Sequence, residues 1–279
     1  MIRSGLVGRS ILASRSPWLH EEEARAQGLA LTYELFDFSA RGLADADLAP
    51  TLQRLRDEGY AGVNVTYPFK QAVMGLLDEL ADTALAAGAV NTIAMREGRM
   101  IGHNTDMAGF AQSLVAGLPG ARMGHVLQLG AGGAGSAVAG ALVSLGVQRL
   151  DLTDVDASRA QALAARLNDW AGAERVHAVA ADRLDTRTVD GIVNASPVGM
   201  AAVPGLPLDE SLVAHRHWVA DIIYFPLETP LLTLARQRGC ATINGSGMVV
   251  AQAALAFEII TGHRADALRV ARSFDAFGK

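Results

Sequence analysis

Residues 102–110 of the chain read GHNTDMAGF and place an imidazole, an amide, a hydroxyl and a carboxylate directly before an apolar segment. Asn, Thr and Asp before an apolar run are typical of a helix start, because their side-chain oxygens accept hydrogen bonds from the unpaired N–H groups of the first turn. A carboxylate can equally take part in proton transfer. Two hypotheses therefore apply to Asp106: that it caps a helix and that it is a catalytic group. They do not exclude each other.

Other chemically capable side chains lie further towards the N-terminus. The segment NVTYPFK, residues 64–70, places Asn64, Thr66 and Lys70 at the carboxyl end of a predicted strand. Ligands of open α/β sheets bind at the carboxyl ends of strands, so all three are candidates for a site, although a lysine taken alone is more typical of a solvated surface. The segment AVNT adds Asn91 and Thr92, and GHNTD adds Asn104. A surplus of amides and hydroxyls beside one lysine and one carboxylate suits a small polyhydroxylated substrate.

Ser14 and Ser16 stand two residues apart in the segment SRSP, where a helix is predicted to begin at Pro17 because proline suits a first helical turn. Two hydroxyls at a helix N-terminus can hold a carboxylate. The competing interpretation is a plain N-cap by Ser16, and the two serines taken alone favour it.

The segment GAGGAG, residues 130–135, has the spacing G-x-G-x-x-G. In such a turn the first glycine permits the tight bend, the second lets the backbone approach a pyrophosphate, and the third allows close contact between helix and strand. The motif alone is weak evidence, but here it follows the predicted strand HVLQLG, opens an apolar helix and precedes a strand that ends at Asp154. That context predicts a dinucleotide-binding unit with the phosphates at the helix N-terminus.

The segment TDVDASRA, residues 153–160, distinguishes between the two nicotinamide cofactors. An acid at the position of Asp154 can hydrogen-bond both ribose hydroxyls of NAD and repels the 2′-phosphate of NADP. A 2′-phosphate requires a nearby arginine, and the segment offers only Arg159 beside Asp154 and Asp156. Because the segment has two acids and only one arginine, it predicts NAD as the cofactor, with NADP less favoured.

The composition limits the class of protein. The chain has 279 residues, 50% of them hydrophobic, with a formal net charge of −5. The apolar content is ample for packed cores, and the lack of a Lys/Arg run argues against a nucleic-acid partner. The single cysteine, Cys240, excludes an internal disulfide and favours the cytoplasm. Residues 247–260 are shorter than the roughly 20 residues that span a bilayer and include Gln252 and Glu258, so a buried helix and no membrane contact are expected.

Short apolar runs alternate with helical patterns along most of the chain, which indicates an α/β architecture with mainly parallel sheets. Strands are predicted at 4–8, 32–38, 62–66, 125–130, 149–154, 191–196 and 218–224, with two more, joined by a turn at Glu97-Gly98, within 89–106. The pattern restarts at His125, so a domain boundary is expected between Asp106 and Gly124. The apolar helix at 247–260 follows the last strand and could pack on the first domain, which would then be discontinuous.

Eight segments together resemble the shikimate dehydrogenase family. They occur in register over nearly the whole chain: SRSP, NVTYPFK, AVNT, GHNTD, GAGGAG, NASPVGM, DIIYFPLETPLL and NGSGMVVAQAALAF. The resemblance implies a two-domain α/β fold, with an N-terminal α/β substrate-binding catalytic domain of residues 1–105 plus 246–279 and a Rossmann NAD-binding domain of residues 106–245. It also implies reversible oxidation of the C3 hydroxyl of shikimate to 3-dehydroshikimate, or of quinate to 3-dehydroquinate.

The resemblance further implies roles for individual residues. Lys70 and Asp106 would be the catalytic pair, because removal of a hydride from an alcohol carbon also requires a base for the hydroxyl proton. The substrate would be bound at its carboxylate by Ser14 and Ser16 with Tyr224 nearby, and at its ring hydroxyls by Thr66, Asn91 and Gln252. The cofactor would be bound by Gly130, Ala131, Gly132, Gly133, Ala134, Gly135, Asp154, Val155, Arg159, Ile222 and Gly245. No metal site is implied.

One alternative is an NADP-linked biosynthetic member of the family. Such members carry an NRT-like segment whose arginine grips the 2′-phosphate, whereas this chain has Asp154, Val155 and Asp156 there. The resemblance therefore favours the NAD-preferring quinate/shikimate branch. Ser16, where similar quinate-preferring members carry threonine, and Ser246, where biosynthetic members tend to have leucine, leave shikimate and quinate open as substrates.

A second alternative is a ligand-sensing homologue that has kept the fold and lost catalysis. Such a protein should have lost Lys70 or Asp106, yet both are present, and the sequence contains no segment typical of DNA binding. The pattern is compatible with a monomer and with a homodimer.

Overall fold

The structure is a computed structural model that describes residues 1–276. The chain divides into two compact units, one formed by Met1–Thr105 together with the chain from Val250 onward, and one formed by Asp106–Val249. The substrate-binding domain predicted over 1–105 and 246–279 includes residues 277–279, which lie outside the described residues.

The elements alternate between strands and helices along most of the chain. Up to Gly117 they are β1 (Ile2–Gly8), α1 (Ser16–Ala26), β2 (Leu31–Asp37), α2 (Leu48–Asp57), β3 (Gly62–Val65), β4 (Glu79–Leu80), α3 (Asp82–Ala87), β5 (Thr92–Arg96), β6 (Arg99–His103) and α4 (Thr105–Gly117). From His125 they are β7 (His125–Leu129), α5 (Gly133–Ser144), β8 (Arg149–Thr153), α6 (Ala157–Ala171), β9 (Val176–Ala178), β10 (Gly191–Asn194), β11 (Trp218–Asp221), α7 (Pro230–Gln237), β12 (Ala241–Ile243), α8 (Ser246–Thr261) and α9 (Ala267–Ala276). Short 3₁₀ helices lie at Asp45–Asp47, Ala72–Leu76, Ala181–Arg183 and Glu210–Leu212.

The first unit contains a mixed sheet with the strand order β2-β1-β3-β5-β6-β4. Strand β1 pairs in parallel with β2 and β3, whereas β5 is antiparallel to β3 and β6. Glu97 and Gly98, both with positive φ, form the predicted turn between β5 and β6. A two-residue turn can only join antiparallel strands, so the expectation of mainly parallel pairing does not extend to this part of the sheet.

Helix α2 covers the first sheet with a stripe of apolar residues. Leu52 and Leu55 are buried at helical spacing and belong to one core cluster with Val63 and Val65 of β3. Full burial of such a side chain stabilises the fold by roughly 1.5–3 kcal/mol. The stripe thus anchors the strand that directly precedes Thr66.

A buried carboxylate joins α1 to the last described helix of the first unit. Glu23 accepts hydrogen bonds from the Arg269 side chain at 2.7 and 3.0 Å and from the Asp266 backbone N–H at 2.9 Å. Burial alone would raise the pKa of Glu23, but its hydrogen bonds from Arg269, Asp266 and Gln27 outweigh burial and hold the pKa below its ordinary value. Glu23 therefore stays charged and fixes α9 against α1.

The second unit contains a parallel sheet with the strand order β12-β11-β10-β7-β8-β9. Counted from the other edge, its strands run third, second, first, fourth, fifth and sixth along the chain, which is the order of a Rossmann fold. The order reverses between β7 and β10, and ligands bind at the carboxyl ends of strands at such a point. The glycine turn at 130–135 follows β7 and therefore lies at this end.

Strand β11 ends at Asp221, so the strand predicted over 218–224 is wrong in its last three residues. The Asp221 carboxylate accepts hydrogen bonds from the Ile223 backbone N–H at 3.0 Å, from Asn194 at 3.1 Å and from Thr229 at 2.8 Å. These bonds turn the chain out of the sheet, because the Ile223 N–H is used by a side chain and not by a neighbouring strand.

Helix α8 extends the predicted helix at 247–260 by one residue at each end. It is apolar nearly all round, and Ala256, Phe257 and Ile260 are buried, as expected for a core helix. Within the described part of the chain, no helix is long and apolar enough to cross a membrane.

Candidate active site

Ser14 and Ser16 lie together at the N-terminus of α1. Arg15 occupies the N-cap position and its side chain makes no cap hydrogen bond, so the interpretation of Ser16 as an N-cap is wrong. The Ser14 hydroxyl accepts a hydrogen bond from the Ser16 backbone N–H at 3.2 Å and donates to the Ser16 hydroxyl at 3.1 Å. Both side chains are half-buried. Two adjacent hydroxyls at a helix N-terminus are suited to binding a carboxylate.

Asn91 and Gln252, two predicted substrate ligands, are brought together. Asn91 is buried directly before β5, and its Oδ1 accepts a hydrogen bond from the Thr105 backbone N–H at 2.8 Å. A backbone N–H only donates, so this bond fixes which end of the Asn91 amide is oxygen. The Nδ2 group then faces the Thr105 hydroxyl at 3.0 Å and Gln252 Oε1 at 3.4 Å. Gln252 thus turns its oxygen to Asn91.

Three further residues extend this network: Asn64 and Thr92, which are among the polar candidates of the sequence, and Tyr33, which is not. The Thr92 hydroxyl donates to Asn91 Oδ1 at 3.0 Å and accepts from Asn64 Nδ2 at 3.0 Å. Asn64 Oδ1 in turn accepts from the Tyr33 hydroxyl at 2.8 Å. No signal in the sequence marks Tyr33, because an aromatic residue in a strand is most simply interpreted as part of the core.

Thr66 and Lys70 follow β3 and are both half-buried. The Thr66 N–H donates to the Val7 carbonyl at 3.0 Å, which continues the pairing of β1 with β3 by one residue. The Lys70 carbonyl accepts from the Val90 N–H at 2.8 Å. Because Val90 directly precedes Asn91, this bond brings the backbone of Lys70 beside the polar network at the carboxyl end of β3.

Asp106 is the second residue of α4 and is buried. It lies inside the helix, so the hypothesis that it is the N-cap residue is wrong. The helix dipole still stabilises a carboxylate in the first turn, typically by 0.3–1 kcal/mol. Thr105, bonded to Asn91, directly precedes Asp106, so Asn91 fixes the point at which α4 begins.

The glycines of the turn at 130–135 serve two purposes. Gly130 has φ +102°, and a Cβ there would lie 2.7 Å from the Ala195 carbonyl carbon, while a Cβ at Gly135 would overlap the Gly130 oxygen. At Gly132 and Gly133, by contrast, no atom of the described residues lies within 4 Å of the Cβ position. Helix α5 begins at Gly133, so the backbone N–H groups of its first turn have no partner within the helix. The residues present therefore fit a pyrophosphate.

Gln128 stabilises this turn through its side chain and was not predicted from the sequence. Its Nε2 donates to the carbonyls of Gly130 at 2.8 Å and Gly135 at 2.7 Å, and the side chain is fully buried. A polar residue within the otherwise apolar end of strand HVLQL is the one signal that could have marked it.

Asp154 follows β8 and is bound to the glycine turn. Its carboxylate accepts from the Ala131 N–H at 2.7 Å and from the Asp156 N–H at 2.9 Å. Asp156 is the N-cap of α6, and hydrogen bonds from Ser158 lower its pKa. Arg159 lies 3.4 Å from the Asp156 carboxylate. The negative charges at this strand end are therefore held in place, and the arginine is paired with one of them.

The remaining predicted cofactor and substrate residues also lie in the second unit. The Gly245 N–H donates to the Ile223 carbonyl at 3.0 Å, and a Cβ at Gly245 would overlap the Ile222 carbonyl, so only glycine fits beside Ile222. Val155 is fully exposed and Tyr224 is 46% exposed.

The chain is similar to known proteins over most of its length. Residues 6–93 match the family model described as the shikimate dehydrogenase substrate binding domain. The chain is 48% identical over 272 residues to the shikimate dehydrogenase (NADP(+)) of Pseudarthrobacter chlorophenolicus, which covers 97% of this chain and 93% of that one. It is 45% identical over 273 residues to the quinate/shikimate dehydrogenase (NAD(+)) of Corynebacterium efficiens, with 97% and 96% covered. The structure of quinate dehydrogenase from Corynebacterium glutamicum in complex with NAD superimposes with a TM-score of 0.94 at 43% identity and covers 99% of both chains.

The chain joins a Rossmann-type unit with a glycine turn to an α/β unit that carries a buried polar network. This combination defines a two-domain NAD(P)-dependent alcohol dehydrogenase. Within that class, the chain belongs to the shikimate dehydrogenase family. The family resemblance and the α/β fold class predicted from the sequence are thereby confirmed.

Proposed function

We propose that the chain is an NAD-dependent dehydrogenase that reversibly oxidises the C3 hydroxyl of shikimate, of quinate or of both. Residues 1–105 with 246–279 bind the hydroxy acid, and residues 106–245 bind NAD. The observation that carries the proposal is the buried network of Asn91, Thr92 and Thr105, which ends one residue before Asp106. A dense group of fixed amides and hydroxyls suits a small ring with several hydroxyls.

The substrate contacts follow from what each side chain can donate. Ser14 and Ser16 hold the carboxylate through their hydroxyls, with Tyr224 nearby. Thr66 and Asn91 bind ring hydroxyls, and so does Gln252. Because Gln252 turns its oxygen to Asn91, its NH₂ group is the end that donates to a ring hydroxyl oxygen.

Lys70 and Asp106 act on the proton of the reacting hydroxyl. Bound NAD supplies the hydride acceptor for the oxidation. In that direction the neutral amine of Lys70 takes the hydroxyl proton as the hydride leaves the carbon, and in the reverse direction the ammonium of Lys70 returns it. Asp106 accepts hydrogen bonds from the hydroxyl and from Lys70 and so keeps the two aligned.

The preference for NAD rests on Asp154. Two of the roughly four lone-pair positions of its carboxylate accept backbone N–H groups, which leaves acceptors for the two ribose hydroxyls of NAD. The same charge repels a 2′-phosphate. The exposed side chain of Val155 beside it offers an apolar contact for the adenine ring.

The test is a comparison of kcat/KM for shikimate and quinate, each with NAD and with NADP. We expect NAD to be at least tenfold more efficient, which corresponds to about 1.4 kcal/mol of discrimination. Asp154→Asn removes the charge and should reduce that ratio, whereas Asp169→Asn, an exposed aspartate on α6, should leave it unchanged. Equal efficiency with both cofactors would contradict the NAD preference. Inactivity with both acids would contradict the proposal as a whole.

An NADP-linked enzyme is the second candidate, because the relative from Pseudarthrobacter chlorophenolicus is named as NADP-dependent. Arg159 is the residue that could serve a 2′-phosphate. Its exposed ion pair with Asp156 is worth only about 0–1 kcal/mol, so a phosphate could displace it. The same comparison of four kcat/KM values distinguishes the two candidates. A cytoplasmic location belongs to the proposal and is supported by the single cysteine, Cys240, which is free and buried.

A further inference from the structure

The hydrogen bonds of the first unit connect Tyr33 to the two amides proposed to bind ring hydroxyls. In order, the chain of hydrogen bonds contains Tyr33, Asn64, Thr92, Asn91 and Gln252. Tyr33 and Asn64, both buried, lie at one end of the chain, and Asn91 and Gln252 lie at the other.

The direction of the hydrogen bonds at Asn64 follows from its neighbours. Its Nδ2 lies 3.2 Å from the backbone carbonyl oxygen of Asn91, which can only accept. The nitrogen is thereby fixed on that side, so the Oδ1 atom faces Tyr33. The Tyr33 hydroxyl must donate to it.

This direction decides what Tyr33 can do. A phenol has one proton, and here it is used on Asn64. Burial raises the pKa of Tyr33, so the phenol keeps its proton at neutral pH. Tyr33 is therefore a fixed donor to Asn64, and it is not an acid or a base of the reaction.

The ring of Tyr33 is held independently of its hydroxyl. The imidazole of His20 packs on it with ring centroids 4.7 Å apart, and the ring of Phe257 lies 6.1 Å from the His20 ring. Removing only the hydroxyl would leave these ring contacts in place, so a change in substrate binding would report the hydrogen bonds and not the packing.

We propose that Tyr33 is a positioning residue for the substrate, whose hydroxyl fixes Asn64 and, through Asn64 and Thr92, holds Asn91 in its binding orientation. The inference rests on the proposed function, because Asn91 is a substrate ligand only there. Without the hydroxyl, the buried Oδ1 of Asn64 would lose its donor. A buried unpaired amide is unfavourable, so Asn64 would reorient and release Thr92 and Asn91 from their present geometry.

The test is Tyr33→Phe, compared with Tyr60→Phe as a matched control. Tyr60 is a buried tyrosine of the same unit whose hydroxyl bonds Glu34 at 2.9 Å and Arg3 at 3.0 Å, outside the chain from Tyr33 to Gln252. We expect Tyr33→Phe to raise KM for the acid substrate at least about fivefold while kcat changes less than about twofold, because Lys70 and Asp106 are not members of the chain. Tyr60→Phe should leave both constants unchanged, even if the two variants lose similar thermal stability.

Coupling to Thr92 provides a second readout that a purely structural role would not produce. If Tyr33 acts through Asn64 and Thr92, Tyr33→Phe should raise KM less in a Thr92→Val background than in the wild type. An unchanged KM in Tyr33→Phe, an equal rise in Tyr60→Phe, or full additivity with Thr92→Val would overturn the role of Tyr33. A wild-type protein inactive with both shikimate and quinate would instead overturn the proposed function, so the two failures are distinguishable.

Discussion

Lys70 and Asp106 differ in what a substitution would remove. Lys70 contributes its backbone carbonyl to the fold through Val90, and that bond survives any change of side chain. Asp106 contributes a charge to the first turn of α4. The chemical roles proposed for them can therefore be separated from their structural roles by substitutions that keep shape.

For Lys70→Met we expect kcat to fall at least about a hundredfold, since a positioned acid/base contributes roughly 10²–10⁴ in rate and methionine cannot carry a proton. Asp106→Asn should also lower kcat, while the melting temperature stays close to that of the wild type because asparagine keeps the shape of aspartate. Steady-state kinetics and thermal melts of both variants are the measurements. Asp82→Asn, an exposed aspartate in the first turn of α3, controls for the loss of a helix-dipole contact.

A result in which Asp106→Asn keeps full kcat but melts earlier would mean that this carboxylate only stabilises α4. The two catalytic residues should also act as a unit, so the double variant should be far less impaired than the product of the single effects. If the fall in kcat of the double variant equalled the product of the two single effects, Lys70 and Asp106 would not act as a pair.

For single residues, the sequence shows which side chains are chemically capable but not which hydrogen-bond partners they have. Ser14, Asn91 and Asp106 are recognisable because polar residues next to predicted strand or helix ends are unusual. Tyr33 is not, because it falls inside a strand and its hydroxyl gains a role only from Asn64, which is far away in sequence.

Among the elements, the turn between β7 and α5 depends on a side chain from the strand itself. Gln128→Leu keeps most of the volume but removes both hydrogen bonds to the glycine turn. We expect the dissociation constant for NAD to rise at least about fivefold, because the N–H groups of the turn lose their fixed geometry. Titration of each variant with NAD is the measurement. Gln148→Leu, an exposed position of the same unit, should bind NAD as the wild type does.

If Gln128→Leu bound NAD with unchanged affinity, the turn would be held by its glycines and by Asp154 alone. A variant that fails to fold would not answer the question, so Gln128→Glu is a useful second change. A glutamate side chain can donate at most one hydrogen bond, so it can satisfy only one of the Gly130 and Gly135 carbonyls. We therefore expect a partial loss of affinity for NAD.

Elements with strong periodicity were predictable, and short ones were not. The strands around β1, β2, β3, β7, β8 and β10, the turn at Glu97-Gly98 and helix α8 all follow from alternation, turn residues or apolar runs. Strands β4, β9 and β12 have only two or three residues, which is too short for any periodic pattern. The end of β11 depends on the Asp221 hydrogen bonds, which join residues from three separate segments and so leave no local signal.

For the whole molecule, buried histidines make stability depend on pH. His20 is fully buried, its Nδ1 has no hydrogen-bond partner among the described residues, and burial lowers its pKa from 6.5 to about 4. Between these two values the unfolded chain binds a proton that the folded protein does not, so stability falls as the pH is lowered from 6.5 towards 4 and is fully present above 6.5. Between pH 7 and pH 5 the loss from His20 is about 2 kcal/mol.

The measurement is urea unfolding of wild type and His20→Phe at both pH values. Phenylalanine cannot titrate and retains an aromatic contact with Tyr33, so the variant should lose less stability than the wild type between pH 7 and pH 5. Other titrating groups contribute equally to both proteins, so their effects cancel when the two pH dependences are subtracted. One such group is Asp221, whose pKa is raised by burial and whose effect on stability has the opposite sign. The exposed His263→Gln should behave like the wild type, and an identical pH dependence in His20→Phe would disprove the assignment.

The division of the first unit into two stretches of sequence has a consequence for synthesis on the ribosome. The buried Glu23 is made 246 residues before its partner Arg269, an interval of roughly 10–50 s at ordinary translation rates. During that interval all of Asp106–Val249 is synthesised, while α1 still lacks the cation that keeps its carboxylate charged. The nascent chain should therefore acquire its nucleotide-binding half first, and its substrate-binding half only when α8 and α9 leave the exit tunnel.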